Sequence, residues 1–426
     1  MLSVAHTGPR QSALRTALAG LIGNVLEWFD FAVYGYFAGD IGRQFFPQSS
    51  HTAQQLLAFA VFALGFGARP IGSLILGPVG DRIGRRALLT LSIMMMGGAT
   101  LALGLLPTYN QIGVAAPLLL VTMRLVQGFS LGGEFTGSMV YTTEQSSPMM
   151  RGLVSSSTAA GTTIGFILGS GSAWLVNALL SPSQVLTWGW RVPFVASVGL
   201  CVLGWFLRRG IHETAEGLKA AAARPPLMPS LVADWLPIVR TFGIVAMTNA
   251  AYYLTFTYAV ERRKSLVDDG GQTFLLANTL SLVVVLLAKP LGGWLSDRVG
   301  RRRLMLTLTV VVMATIYSAM RLMLYGAPIA FISGQIMLAV PLGMALGLQG
   351  AMVVEIFPLR TRVTSMSFAY SITLALAGGT APLVSTWLIE TLGQPLAPAY
   401  YIMAYGAIGL ALMWPMAETN TRPLDQ

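Results

Sequence analysis

Apolar runs long enough to cross a bilayer recur along the whole chain, separated by short polar or glycine-rich turns. About 20 apolar residues cover the hydrocarbon as a helix. A helix is the expected form, because no water is there to satisfy an open backbone. The pattern predicts twelve spans, over 17–38, 54–78, 87–106, 112–141, 152–178, 189–208, 238–260, 272–295, 304–325, 328–355, 363–390 and 398–417. An even number of crossings puts both termini on one side. The one long hydrophilic stretch, 209–237, falls between the sixth and seventh spans. It predicts a six-helix bundle over 1–208, a linker over 209–237 and a second six-helix bundle over 238–426. Within the linker, Ala-rich 214–223 reads as a surface helix that Arg224-Pro225-Pro226 brings to an end.

Composition strengthens this picture. Of the 426 residues, 54% are hydrophobic and 10% charged, with a mean hydropathy of +0.66. A soluble domain carries about 25% charged residues. The net charge of +10 does not imply nucleic acid, since the basic residues bunch in short loops rather than along a polar face. Of the 27 Lys and Arg, 18 lie on the side of the N-terminus, five on the other, and Arg69, Arg124, Lys289 and Arg321 lie within spans. That bias places both termini in the cytoplasm. The first apolar run follows Arg10 and Arg15 but contains Glu27 and Asp30, so it reads as a retained span rather than a cleaved leader. The single Cys201 excludes a disulfide framework and reads as a small packing residue.

The two halves repeat one another. Gly77-Pro78-Val79-Gly80-Asp81-Arg82-Ile83-Gly84-Arg85-Arg86 follows the second span, and Gly293-Trp294-Leu295-Ser296-Asp297-Arg298-Val299-Gly300-Arg301-Arg302 follows the eighth, 216 residues later. A second pair agrees: Glu144 and Arg151 after the fourth span, Glu355 and Arg362 after the tenth. Two matches at nearly equal offsets imply duplicated halves, and transporters built from repeats hold solute where the repeats meet near the midplane. In the repeated loop, glycine permits a tight turn, aspartate can pair with a helix N-terminus across the interface, and arginines keep the loop inside. These residues are expected to form a gating and packing cluster.

The loop pattern G-x-x-x-D-R-x-G-R-R resembles that of the major facilitator superfamily. Gly23-Asn24-Val25-Leu26-Glu27-Trp28-Phe29-Asp30-Phe31, and the fourth-span stretch from Arg124-Leu125-Val126-Gln127-Gly128 to Gly132-Gly133-Glu134-Phe135-Thr136-Gly137, resemble its metabolite:proton symporters. Thr248-Asn249-Ala250-Ala251-Tyr252-Tyr253 and the ending Glu418-Thr419-Asn420-Thr421-Arg422-Pro423-Leu424 resemble the proline/betaine carriers most. The resemblance covers essentially the whole chain. It implies an all-α membrane protein of twelve helices in two pseudo-symmetric bundles, resident in a bacterial inner membrane. It also implies alternating access, importing a small carboxylate or zwitterion with protons: proline or betaine, or alternatively citrate, α-ketoglutarate or shikimate. The long charged tail of the osmosensing carriers is not present here, so the resemblance does not imply osmotic activation through it.

Ionisable residues inside a span are costly, and each is a functional candidate. Glu27, Asp30 and Tyr34 are spaced three and four apart and share a helix face. Arg69 lies at similar depth in the second span. Glu27, Asp30 and Glu134 are candidates for carrying the proton. The alternatives are a static ion pair for the first two and local hydrogen bonding for Glu134. The glycines around Glu134 (Gly128, Gly132, Gly133 and Gly137) would let a neighbouring helix approach closely. Candidate substrate residues are Tyr34, Arg69, Arg124, Gln127, Asn249, Tyr252 and Lys289. Arg124 suits a carboxylate bidentately. Lys289 would offer a second carboxylate a partner if it faces the cavity, and says nothing of substrate if it snorkels to the surface; Arg321 is expected to snorkel. The aromatics Trp28, Phe29, Tyr34, Tyr252, Tyr253 and Tyr258 could cage a quaternary ammonium. Proline or betaine follows from the closest resemblance, a di- or tricarboxylate from Arg69, Arg124 and Lys289, and the sequence leaves both open. Pro70, Pro290, Pro341 and Pro382 are expected to mark kinks.

Other classes find little support. His6, His51 and His212 all lie outside the spans, with no metal-ligand cluster and no nucleophile triad or phosphate-cradling loop. Nor is there a filter sequence of a pore. The expectation is a monomer that is no enzyme and takes no metal or cofactor. A membrane sensor on the same fold is the different-class alternative.

Overall fold

The computed structural model describes residues 13–83, 85–132, 134–208, 227–266, 271–420 and 424. Among the described residues, twelve helices follow the hydropathy pattern. They are α1 (Ala13–Tyr36), α2 (His51–Ile83), α3 (Arg85–Leu105), α4 (Ala115–Glu144), α5 (Arg151–Leu179), α6 (Val192–Arg208), α7 (Trp235–Tyr253, continued to Lys264), α8 (Gln272–Val299), α9 (Arg301–Tyr325), α10 (Pro328–Glu355), α11 (Arg362–Leu392) and α12 (Ala397–Met413). No strand occurs among the described residues. The span boundaries fall within a few residues of those expected from the sequence. The linker helix expected over 214–223 lies outside the described residues.

The polarity of the molecule is inverted relative to a soluble protein. Large apolar side chains such as Leu64, Met94, Leu118, Leu179 and Ile329 face outward, whereas Asn24, Gln127, Asn278, Gln335 and Gln349 are buried. Lipid tails are as apolar as leucine, so apolar surface gains nothing by hiding there, and the helices associate through close packing and internal hydrogen bonds. Gly128 and Gly132 show how. A Cβ on Gly128 would fall on the backbone oxygen of Gly65, and one on Gly132 on the backbone of Gly72 and Ser73. Two bare turns of α4 thus lie directly on α2.

The halves meet along two main seams, α5 against α8 and α2 against α11. Four irregularities shape them. Pro290 and Pro341 sit inside α8 and α10. A wide π turn over Leu254–Tyr258 interrupts α7, and another over Leu374–Gly379 interrupts α11 just before Pro382. The two interrupted helices touch: a Cβ on Gly378 would press on the Tyr253 ring. π turns frequently mark functional places in helices, and these two lie beside the central cavity.

Candidate functional site

The charges inside the membrane arrange themselves into two separate pairs. Arg69 of α2 is bonded to Glu27 of α1, and its guanidinium lies 5.3 Å from the centre of the Trp28 ring and 5.5 Å from that of Phe66. Asp30, one turn further along α1, is fully buried. It accepts from Arg124 Nη1 at 2.7 Å and from Gln127 Nε2 at 2.9 Å. Gln127 in turn accepts from Arg124 and donates to Thr100 of α3. Tyr34 stacks its ring under the Arg124 guanidinium at 4.3 Å and gives its hydroxyl hydrogen to Ala58 O. Three helices of one half are thereby tied to a single carboxylate. A buried pair of this kind is expensive to break from one side only.

Between the halves lies a small cavity of about 20 Å³, lined among others by Trp28, Phe135, Thr162, Phe166, Asn249, Tyr252, Tyr253, Gln349 and Tyr370. The expected substrate residues divide on this boundary. Asn249 and Tyr252 are in the wall, and Lys289 reaches it from α8, giving hydrogen bonds to Ala159 O at 2.5 Å and Thr162 Oγ1 at 2.9 Å on α5. Tyr34, Arg69, Arg124 and Gln127 stand behind the wall in the first half. Lys289 does not snorkel; it is 1% exposed. Arg321 instead borders an open surface groove with Tyr317 and Tyr325.

Several wall residues were not singled out from sequence. Gln349 accepts from Thr248 at 2.7 Å and donates to the Tyr370 hydroxyl at 3.0 Å, linking α7, α10 and α11. A carboxamide in the otherwise apolar run 328–355 was the available signal. Phe135 and Phe166 gave none, because an aromatic in a lipid-facing stripe and one in a cavity wall look alike in sequence. The side chain of Glu134 lies outside the described residues, as do those of Gly77, Asp81, Arg82, Gly84 and Arg85 in the first loop copy.

Each mouth of the cavity is closed by polar contacts between the halves. On the face carrying the repeated loops, Asp297 accepts from the amides of Gly152 and Leu153 at 2.8 and 2.9 Å, capping the first turn of α5. Those amides have no partner within their own helix, and the helix dipole favours an anion there. Arg301 holds Asp297 at 2.7 Å and Glu355 at 3.2 Å. Glu144 pairs with Arg362 across the boundary at 2.7 Å. Arg298 stacks on Trp294, and Arg151 is buried. Gly300 has φ +106°, a conformation that favours glycine, and the Glu418 carboxylate accepts from the amides of Arg302 and Arg303 just beyond it.

On the opposite face, Lys264 pairs with Asp40 at 2.6 Å, Arg43 pairs with Asp40 at 2.8 Å, and Glu261 accepts from the Gly39 amide at 2.8 Å. Burial pushes Glu261 up to about 7, with Lys264 pulling the other way. For Lys264, burial pulls downward but is outweighed by Asp40 and Glu261, which leave it above the ordinary lysine value. The conformation is therefore occluded, with both faces shut over a nearly collapsed cavity.

A family model described as "Major Facilitator Superfamily" matches residues 265–425, and one described as "Sugar (and other) transporter" matches 16–216. The proline/betaine transporter of Salmonella typhimurium is 33% identical over 96% of this chain and 85% of its own length. The chain belongs to the major facilitator superfamily. The citrate-proton symporter of Klebsiella pneumoniae is 36% identical over 91% of this chain and 87% of its own. The xylose transporter of E. coli, in a partially occluded inward-open form, superposes with a TM-score of 0.75 at 19% identity, covering 96% of this chain and 99% of that one. At that identity the likeness is one of fold. It accords with the superfamily's two six-helix bundles.

Proposed function

We propose that this chain is a proton-coupled symporter that imports a small carboxylate-bearing metabolite by alternating access. The observation that carries the reading is Asp30, fully buried yet tied to Arg124 and Gln127. A carboxylate at that depth has a reason to be there if a proton visits it. Protonation removes the charge that holds Arg124, loosening α1 from α4, and deprotonation restores the pair. The Glu27–Arg69 pair is the second place where a proton could exchange with an ion pair, and Glu134 is the third candidate. Asn249, Tyr252 and Gln349, which line the cavity, orient the solute from the second half in this reading. The repeated-loop contacts of Asp297 and Glu144 form the gate on one face, and Asp40, Glu261 and Lys264 that on the other.

The positive-inside bias supports a bacterial inner-membrane protein with the loop face and both termini in the cytoplasm, divided as 1–208, 209–237 and 238–426 and working as a monomer. The relatives supply both kinds of solute: zwitterions in the proline/betaine transporters, a tricarboxylate in the citrate-proton symporter. A carboxylate is what these solutes share.

The test is uptake by the purified full chain in proteoliposomes, with an acid exterior, of labelled proline, glycine betaine, citrate and 2-oxoglutarate. At least one should accumulate against its gradient and be released by a protonophore. If none does, the reading is wrong.

A further inference from the structure

Among the described residues, the cavity wall is rich in hydrogen-bond donors and has no acid. None of the residues that line it is an aspartate or glutamate. Two of them carry buried polar hydrogens with no acceptor, the Trp28 indole N–H and the Tyr253 hydroxyl. Lys289 adds an ammonium at the same wall. Its two acceptors, Ala159 O and Thr162 Oγ1, are both neutral and both belong to cavity-lining residues. No ion pair reaches it among the described residues. The other charges that the described residues place at this depth cancel: Glu27 against Arg69, Asp30 against Arg124. Among the described residues, Lys289 is the cation left over.

An ammonium with only neutral partners is costly in the interior of a membrane protein. A solute whose own carboxylate lies against it removes that cost. A zwitterion brings one negative charge but also a positive one, and the wall offers that positive charge aromatic faces but no carboxylate. A solute with two or more carboxylates and no ammonium satisfies both Lys289 and the unpartnered donors.

We propose that Lys289 is the specificity-determining residue of this transporter. It receives a second carboxylate and selects di- or tricarboxylates over zwitterions of the proline/betaine type. The proposal rests on the carboxylate-symport reading above and narrows it, away from the proline/betaine carriers that the sequence motifs resemble. The competing role for Lys289 is a latch between α8 and α5, which would act on every solute alike.

The experiment is counterflow in proteoliposomes of the full chain with citrate, 2-oxoglutarate, proline and glycine betaine. Wild type, Lys289→Gln and Lys289→Arg are compared, each first shown to be monodisperse. The expected result is exchange of citrate or 2-oxoglutarate at least about tenfold faster than of either zwitterion. Lys289→Gln should weaken apparent affinity for the preferred acid about tenfold, as loss of one charge-assisted hydrogen bond would, and Lys289→Arg should restore most of it. The proposal is overturned if wild type carries proline or betaine in preference to both acids. It is also overturned if Lys289→Gln keeps wild-type affinity for the acid, or loses all solutes equally while Lys289→Arg does the same. Should Lys289→Gln fail to fold, the wild-type preference and Lys289→Arg decide. Exchange of none of the four would overturn the symport reading itself, a result distinct from exchange of the wrong kind.

Discussion

Asp297, at the end of α8, accepts the amide hydrogen of Gly152 at 2.8 Å from the other half of the molecule. With Leu153 bonded to the second oxygen, a loop of one repeat becomes the N-terminal cap of a helix of the other. The contact requires the halves to be together on this face. It is therefore a component of the closed state and not of the open one.

Removing its charge should favour opening. In Asp297→Asn the amide oxygen can still accept one hydrogen bond, but the attraction to the helix N-terminus and to Arg301 is lost. Charge-assisted hydrogen bonds contribute about 1.5–3 kcal/mol, so the loop face should open about tenfold or more. Alkylation of a cysteine introduced at Ser155 in a Cys201→Ser background should speed up accordingly. An unchanged rate would refute the gating role.

Asp30→Asn keeps the shape of the side chain and removes its ability to ionise. Gradient-driven accumulation is expected to fall to background while solute counterflow persists, since exchange needs no net proton movement. The Arg124 guanidinium is left without its carboxylate, and the buried-pair argument puts the loss of stability at about 3–5 kcal/mol. Uptake and counterflow are measured on the same vesicles. Full accumulation by the variant would exclude Asp30 as the coupling group.

Gly128→Ala tests the contact between α4 and α2. Alanine is the better helix former by about 1 kcal/mol, so local propensity alone predicts stabilisation. The added methyl would meet the Gly65 carbonyl, and overpacking costs about 1–3 kcal/mol. The variant should melt below wild type in detergent. A rise in Tm would show that the helices separate more easily than their spacing suggests.

The opposite face should respond to pH through Glu261. Burial holds its proton up to about 7 in the closed form, whereas an opened, hydrated carboxyl returns toward the ordinary value near 4.3. Between these values the open form releases a proton that the closed form keeps, so raising pH through this window favours opening. Closure should be greatest at the acid end and lost as pH rises past about 7. Lys264, Asp40 and Arg43 face the same carboxyl. Labelling of Ser170→Cys, again in Cys201→Ser, should be slower at pH 5 than at pH 8, and Glu261→Gln should flatten the difference. An equal slope in wild type and variant would locate the titration elsewhere.

The twelve spans, their boundaries to within a few residues and the duplicated halves were legible in the chain, because the bilayer imposes one length and one polarity on every crossing. The loop motif was equally legible. Asp297 reaches a helix N-terminus across the interface, as an aspartate in that position suggested, and Gly300 sits where glycine is needed. The interior charges were recognisable for the same reason, since Glu27, Asp30, Arg69, Arg124 and Lys289 are conspicuous in apolar runs.

Their partnerships were not. Helical spacing put Glu27 and Asp30 on one face, but packing sent them to different arginines on different helices. Glu144 pairs not with a residue of its own repeat but with Arg362 of the other, and the cluster of Asp40, Glu261 and Lys264 on the opposite face joins segments more than 200 residues apart. A one-dimensional pattern records how much polar cost each helix carries. Which side chains offset one another depends on helix rotation and on where glycine lets two backbones touch, and those are set only when all twelve helices pack.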